Sequence, residues 1–205
     1  RAYRQIVAVS SAVRAQLLAE GVPPERLRVI HSAVSLADCA PTWSPDRFRR
    51  EFGLEPGRPV VAVVAQLIPR KGHGLLLAAW PAIRARFPGA RLLVFGTGPL
   101  EGELVARAGM SGGVHFAGFR PDLRACRWWG FRSSGVAEAV AQGETGILVP
   151  PGDTVALGDA VVALLDDPPR RRSLAAAGRA PIAAAFTPAA MAAAYAEVYA
   201  DVLGR

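Results

Sequence analysis

Lys71 is the only lysine among the 24 lysine and arginine residues of this 205-residue chain. It lies in Gln66-Leu67-Ile68-Pro69-Arg70-Lys71-Gly72, between an apolar run at residues 60–64 and a helical pattern. A join between a buried strand and a helix is where α/β proteins bind anions, because the first N–H groups of the helix are unpaired. The segment therefore predicts a phosphate site with Lys71 as its cation and Arg70 as a second basic candidate. The alternative is a solvated surface turn in which both side chains point to water.

The elements around this turn predict a parallel sheet. Continuous apolar runs at 60–64 and 92–95 are typical of strands covered on both faces, and Val114-His115-Phe116 predicts a further short strand. Helical patterns alternate with these strands from residue 60 to 165, which favours a Rossmann-like α/β fold with helices on both faces. We also expect short strands at 6–9, 27–30 and 147–149, and a helical C-terminus with helices at 155–165, 169–186 and 188–203.

Composition excludes several classes of protein. An apolar fraction of 51% fits a packed core, and no apolar run is long enough to span a bilayer. The net charge of +7 comes almost entirely from arginine in an Ala-, Gly- and Pro-rich background, so charge alone is weak support for a nucleic-acid partner, and none is expected. Arg170-Arg171-Arg172 is interpreted as a solvated helix face, with contact to anionic lipid as the alternative. Cys39 and Cys126 lack metal-ligand spacing and are expected to be free thiols.

Two further patterns near the predicted phosphate site are weaker signals. Gly96-Thr97-Gly98 is a tight turn, and any tight turn can use glycine. His31 and His115 have no partner pattern for a metal or a catalytic triad, so both are expected to be structural. For His73 two orientations stay open, toward the phosphate site or away from it.

Four stretches of the chain, taken together, carry a family resemblance. In order they are Val9-Ser10-Ser11-Ala12-Val13 with Val29-Ile30-His31-Ser32-Ala33-Val34; Leu67-Ile68-Pro69-Arg70-Lys71-Gly72-His73; Gly96-Thr97-Gly98-Pro99-Leu100 with His115-Phe116-Ala117-Gly118-Phe119; and Gly143-Glu144-Thr145-Gly146-Ile147-Leu148-Val149-Pro150-Pro151-Gly152-Asp153. The chain resembles the C-terminal, nucleotide-sugar-binding half of family 4 (group 1) retaining glycosyltransferases, which have the GT-B fold.

The resemblance implies an activity and partners. Such enzymes move a sugar from a nucleotide diphosphate sugar to an acceptor with retention, usually without a bound metal, so the donor is a substrate and no cofactor or metal is expected. The acceptor, a polysaccharide or a lipid-linked molecule, is held mostly by an N-terminal domain that is expected to be missing from this chain. The implied organisation is an entry segment at 1–35, a nucleotide-sugar-binding domain at 36–186 and a C-terminal helix at 187–205. The expected location is cytoplasmic, with peripheral contact at the inner membrane face.

The resemblance also implies site residues. Lys71 matches the family's diphosphate-binding lysine, and the position five residues earlier, basic in the family, is Gln66 here, which can donate a hydrogen bond but carries no charge. Gly118, Phe119 and Arg120 match the segment that lies against the nucleotide base. The alternative for Phe119 is simple packing at a strand end.

The chain departs from the family pattern between residues 118 and 143. The family carries two glutamates separated by seven residues here, and this chain has no such pair, so no catalytic residue is assigned. Glu138 and Glu144 have the wrong spacing. The short connection suggests that one strand and its helix are missing, with the gap covered by Trp128, Trp129 and Phe131; a base-stacking platform and an artefact of deletion or reading frame are the other interpretations.

The predicted function is therefore a group 1 glycosyltransferase domain, impaired or incomplete in this chain. The alternative is a non-catalytic module that binds nucleotide sugars or docks on a separate N-terminal half through its last helix.

Overall fold

The computed structural model describes residues 3–35, 44–122 and 136–204. Expectations for Cys39, Cys126 and the Trp128, Trp129 and Phe131 group fall outside these ranges. The chain divides into two compact units, the first made of residues 1–36, 132–148 and 172–205 and the second of residues 37–131 and 149–171. The sequence-based boundaries at 1–35, 36–186 and 187–205 stay predictions.

The described strands are β1 (Ile6–Ala8), β2 (Leu27–Val29), β3 (Val60–Val64), β4 (Arg91–Phe95) and β5 (Val114–Gly118). The described helices are α1 (Ser11–Ala19), α2 (Pro45–Glu51), α3 (His73–Arg86), α4 (Glu101–Gly109), α5 (Val136–Ala139), α6 (Thr154–Asp166), α7 (Pro168–Ala177), α8 (Arg179–Ala185) and α9 (Pro188–Leu203). Within these ranges no helix has both the length and the apolar character that a bilayer span requires.

The first unit is built on a short parallel pair. β1 and β2 pair in register, with Ile6 opposite Leu27. The helix α1 begins after Ser10, whose buried hydroxyl accepts a hydrogen bond from the Val13 N–H at 3.2 Å, as an N-cap serine does. An ion pair of 3.0 Å between Arg28 and Asp201 joins β2 to α9. The unit therefore combines the start of the chain with its C-terminal helix.

The second unit is a three-stranded parallel sheet in the order β3-β4-β5. Its central strand alternates between two cores, because successive side chains of a strand point to opposite faces. Leu92 and Val94 pack among side chains of α3, α4 and α6, whereas Leu93 and Phe95 pack with Leu54 and with the aromatic side chains of and next to α2. The predicted α/β class, with a parallel sheet covered by helices on both faces, is confirmed.

The helix α3 forms most of the larger core. Its buried side chains include Trp80, which is fully inaccessible and donates its indole N–H to the Gly112 carbonyl at 3.0 Å. Gly158 of α6 lies against Ala79, where an added Cβ would stand 3.6 Å from the alanine Cβ, so the two helices approach closely. The helix runs from His73 through Pro81 to Arg86 without a break in its bounds.

Two elements expected from the sequence are wrong. Residues 147–149 form no strand, and the nearest β contact in the described part of the chain is a single bridge between Gln142 and Gly146. The Leu148 N–H is instead bound by the side-chain oxygen of Gln142, so an apolar run without a neighbouring strand stays irregular. The single helix expected at 169–186 is in fact two helices, α7 and α8, which are separated at Gly178. A Cβ added at Gly178 would stand only 3.2 Å from the Thr145 carbonyl oxygen.

Candidate functional site

The loops that follow β3, β4 and β5 meet at the carboxyl edge of the second unit's sheet. The Leu67 N–H donates to the Thr97 carbonyl at 3.0 Å, and the Leu100 N–H donates back to the Leu67 carbonyl at 3.1 Å. The Gly96 N–H donates to the Gly118 carbonyl at 2.8 Å. These bonds hold the three loops as one layer, so the predicted residues of segments 66–71 and 118–120 lie at the same edge.

Glycine is required where these loops cross. Gly96 has φ +130°, and a Cβ built there would stand 2.0 Å from the Ala65 carbonyl oxygen. A Cβ at Gly98 would stand 2.6 Å from the Leu67 carbonyl oxygen. The Gly96-Thr97-Gly98 turn is a weak motif, but both glycines are required for the close packing of the loops that follow β3 and β4.

Lys71 ends a 3-10 turn, Pro69–Lys71, immediately before α3. Its backbone N–H donates to the Ile68 carbonyl at 3.1 Å, which fixes the turn. Among the described residues, no carboxylate lies within ion-pair distance of its ammonium group. The side chain is half-buried, so this cation is held at the edge of the sheet without a protein counter-charge in the described part of the chain.

The N-terminus of α3 adds unpaired donors beside Lys71. Gly72, with φ +71°, is the N-cap residue and offers no side-chain acceptor. Its carbonyl accepts from the N–H groups of Leu75 and Leu76, and within the described ranges the N–H groups of His73 and Gly74 have no acceptor. Free N–H groups and the positive end of a helix dipole both favour a bound anion. These are donors of the kind that the predicted phosphate site would use, and the site itself stays a prediction.

His73 lies inside this layer and not on its surface. Its side chain is 3% exposed, and neither ring nitrogen has a hydrogen-bond partner in the part of the chain that the structure describes. Burial lowers the pKa of this imidazole below its usual value, and the charge of Lys71 lowers the pKa further. Both effects disfavour the protonated, charged form of the imidazole.

Arg120, the other basic residue predicted for the site, is occupied. Its guanidinium donates to both carboxylate oxygens of Asp122, at 2.8 and 2.7 Å, and contacts the Glu51 carboxylate. It also stands 5.6 Å from the centre of the Phe52 ring. The two carboxylates raise the pKa of Arg120 further, and Arg120 lowers the pKa of Asp122 through its hydrogen bonds. This charge holds the loop after β5 against α2.

The remaining predicted residues lie at the same edge with different exposure. Gln66 and Arg70 are exposed, and neither side chain has a partner among the described residues. Gly118 adopts φ +65° at the end of β5, and the Phe119 side chain that follows is 72% exposed. A large exposed aromatic ring at this edge is available for contact with a ligand, while the binding roles of Gln66, Arg70 and the 118–120 segment stay predictions.

A second polar cluster, in the first unit, escaped the sequence interpretation. The Glu138 carboxylate accepts from the Ser11 N–H at 2.7 Å and from the Ser11 hydroxyl at 3.2 Å, at the start of α1. His31 Nε2 stands 3.4 Å from the same carboxylate, and the His31 ring packs against Phe186 at 5.2 Å. Glu138 thus helps to anchor α1. The contact could not be predicted from the sequence because 127 residues separate Glu138 from Ser11.

The fold is that of a GT-B glycosyltransferase domain. The chain superposes on the Anabaena protein HepE, solved in complex with UDP-glucose, with a TM-score of 0.84 and 19% identity, over 98% of this chain and 65% of that chain. At this identity the likeness shows the fold alone.

Sequence comparison identifies the family. Residues 58–127 match the family described as glycosyl transferases group 1. The GDP-mannose-dependent alpha-(1-6)-phosphatidylinositol monomannoside mannosyltransferase of Mycolicibacterium smegmatis is 30% identical over 65% of this chain and 45% of its own length. The GDP-mannose-dependent monoacylated alpha-(1-6)-phosphatidylinositol monomannoside mannosyltransferase of Corynebacterium glutamicum is 30% identical over 68% of this chain and 46% of its own length. The chain belongs to the group 1 glycosyltransferase family, as its motifs predicted, and spans about half the length of these curated relatives.

Proposed function

We propose that this chain is the donor-binding part of a retaining group 1 glycosyltransferase, which transfers a sugar from a nucleotide diphosphate sugar to an acceptor. The observation that carries the proposal is the ammonium of Lys71, which has no carboxylate partner among the described residues, beside the N-terminus of α3, which has no side-chain cap, at the carboxyl edge of a parallel sheet. Ligands of open α/β sheets bind at this edge. Family membership supports the same interpretation.

The chemistry explains why these groups are needed. When the sugar leaves as an oxocarbenium-like species, negative charge develops on the departing diphosphate, and fixed donors aimed at that charge lower the barrier. Lys71 and the first N–H groups of α3 supply such donors without a metal. Gln66 adds a neutral donor in place of a charge. The donor is the substrate of this site, and the proposal includes no resident cofactor.

We propose GDP-mannose as the donor and a lipid-linked molecule as the acceptor. Both relatives compared above are named as GDP-mannose-dependent and as acting on a phosphatidylinositol monomannoside. The notion of a polysaccharide acceptor has no support from these names. We assign acceptor binding to the part of the relatives' length that this chain does not cover, and we propose that sugar transfer takes place at the cytoplasmic membrane face.

We infer that donor binding and sugar transfer are separable in this chain. The donor-binding groups are present, whereas the sequence holds no pair of glutamates with seven residues between them in the 118–143 region. Binding without efficient transfer is therefore the expected behaviour of these 205 residues. The alternative of a non-catalytic docking module gains no support from the relatives, which are named as transferases.

Isothermal titration with GDP, UDP and ADP tests the proposal. The wild-type chain is expected to bind GDP in preference to the other two. Lys71→Ala is expected to weaken GDP binding about tenfold or more, because a charge-assisted contact to phosphate contributes about 1.5–3 kcal/mol.

Arg91→Ala is the matched control. Like Lys71→Ala, this substitution removes one positive charge. Arg91 is exposed and begins β4, so it lies at the opposite edge of the sheet from Lys71. GDP affinity should not change in this variant. Absence of heat with all three nucleotides at millimolar concentration, from a folded sample, would overturn the proposed function.

A further inference from the structure

The His73 imidazole is a buried polar ring that has no hydrogen-bond partner among the residues the structure describes. Neither Nδ1 nor Nε2 forms a hydrogen bond in the described part of the chain, although the side chain is only 3% exposed. A neutral imidazole carries one N–H donor and one acceptor nitrogen. Leaving such groups buried and unpaired is unfavourable, because they lose their bonds to water on folding and gain none in exchange.

In these apolar surroundings a histidine is less favourable for packing than an apolar residue would be. His73 shares the buried face of α3 with Leu76, Leu77 and Trp80, at helical spacing. A leucine at the same position would fill the core without unpaired polar atoms, and such replacements are often neutral or stabilising. Stability therefore does not explain a histidine here.

The unpaired donors around His73 point to a ligand. The ring belongs to the first residue of a 14-residue helix that has no side-chain cap. It also lies within electrostatic reach of the Lys71 ammonium, whose charge perturbs it. The backbone N–H groups of His73 and Gly74 are unpaired as well within the described ranges. One anion at the start of α3 would give partners to the ammonium, the backbone and the ring together.

We propose that His73 is a further residue of the diphosphate site, and that its ring N–H donates to the bound diphosphate, either directly or through one water molecule. The proposal rests on the proposed function, since it concerns the same donor site. It assigns His73 a positioning role: the ring fixes the diphosphate between Lys71 and the helix start. Because both nitrogens are covered in the free chain, the groups that cover the ring must shift slightly on binding.

Removal of the His73 ring should weaken GDP binding without lowering the thermal stability of the chain. His73→Leu is expected to raise Tm, or to leave it unchanged, and to weaken GDP binding about tenfold, the effect of losing one hydrogen bond to a charged group. His73→Asn and His73→Gln place an amide N–H near the positions of Nδ1 and Nε2, respectively. The variant that restores affinity identifies the nitrogen that donates. His115→Gln is the control, because His115 lies on β5 against Phe52 and outside the predicted site.

The ring can also be observed in the unmodified chain. The protein has 3 histidines, so ¹⁵N-histidine NMR spectra are simple, and the His73→Leu spectrum assigns the His73 signals. Addition of GDP to saturation is expected to shift the His73 ring nitrogens and to leave those of His115 unchanged. This readout holds even if His73→Leu fails to fold, since His31→Gln and His115→Gln then give the assignment by elimination.

The outcomes separate the two proposals. If the wild-type chain binds none of the nucleotides, the proposed function fails and this inference fails with it. If GDP binds and Lys71→Ala weakens it, but His73→Leu binds as the wild type does or the His73 nitrogens do not shift on saturation, only the role of His73 is overturned.

Discussion

Lys71 and Arg120 are both cations at the carboxyl edge of the sheet, and their neighbours give them different roles. Among the described residues Lys71 has no carboxylate partner, whereas Arg120 is held by Asp122 and Glu51. A charge that is already neutralised gains little from a diphosphate, because its own ion pairs must break first. At the scale of single residues, we therefore propose Lys71 as the binding cation, whereas Arg120 stabilises the loop that follows β5.

Arg120→Met should lower thermal stability and not nucleotide affinity. The substitution removes a cation between two carboxylates and over an aromatic ring, so we expect Tm to fall by about 2–4 °C, the shift for a change near 1 kcal/mol in a chain of this size. Differential scanning calorimetry measures the change. Arg58→Met is the control, since Arg58 forms an exposed ion pair with Glu55 and should shift Tm far less. An equal shift in both variants would contradict the assigned role.

The ion pair between Arg120 and Asp122 also predicts that the stability of the chain depends on pH. Arg120 lowers the pKa of Asp122 in the folded chain below the usual value of 3.8, so the unfolded chain takes up the proton at higher pH. The stability that the pair contributes is therefore present above that value and is lost as pH falls below it. Acid unfolding curves should show a smaller loss of unfolding free energy below about pH 3.8 in Arg120→Met than in the wild type. Parallel curves would show that the pair contributes nothing.

At the scale of elements, the site depends on three loops that pack as one layer. Gly96→Ala is expected to cost about 2–4 kcal/mol of unfolding free energy, because the new Cβ meets the Ala65 carbonyl and the backbone there has φ +130°. GDP binding should weaken with it, since the loops that carry the donor site are displaced. Chemical denaturation and titration measure the two effects.

Gly102→Ala is the matched control for that variant. Gly102 lies within α4, where an added Cβ meets nothing within 4 Å. A helical alanine should raise the unfolding free energy by about 0.5–1 kcal/mol. If Gly96→Ala were as stable as Gly102→Ala, the crossing of the loops would not be as tight as described.

The elements also show what a sequence can predict. Residues 60–64 and 92–95 were identifiable as strands because each is a continuous apolar run. Residues 147–149 are equally apolar, yet they form no strand, since a strand also needs a neighbour to bond with, and sequence pattern does not show one. The position of Lys71 at a turn between a strand and a helix was predictable, while its binding role stays a prediction. The pairing of Arg120 with Glu51 and the burial of His73 were not, because both depend on contacts distant in sequence.

At the scale of the whole molecule, this chain covers about half of its curated relatives, so binding and catalysis should be measured separately. We expect the 205 residues to bind GDP-mannose while showing little or no transfer of mannose to a phosphatidylinositol monomannoside acceptor. Radiolabelled GDP-mannose with extraction of the lipid product measures transfer. Turnover comparable to that of the full-length relatives, tested in parallel, would contradict the inference that the missing glutamate pair limits this chain.

³¹P NMR of GDP observes the phosphates themselves and therefore tests directly whether Lys71 contacts a nucleotide diphosphate. Titration with the wild-type chain, and with Arg91→Ala, should shift the β-phosphorus resonance, whereas Lys71→Ala at the same concentration should leave it near its free position. A shift of equal size with Lys71→Ala would show that the diphosphate binds elsewhere.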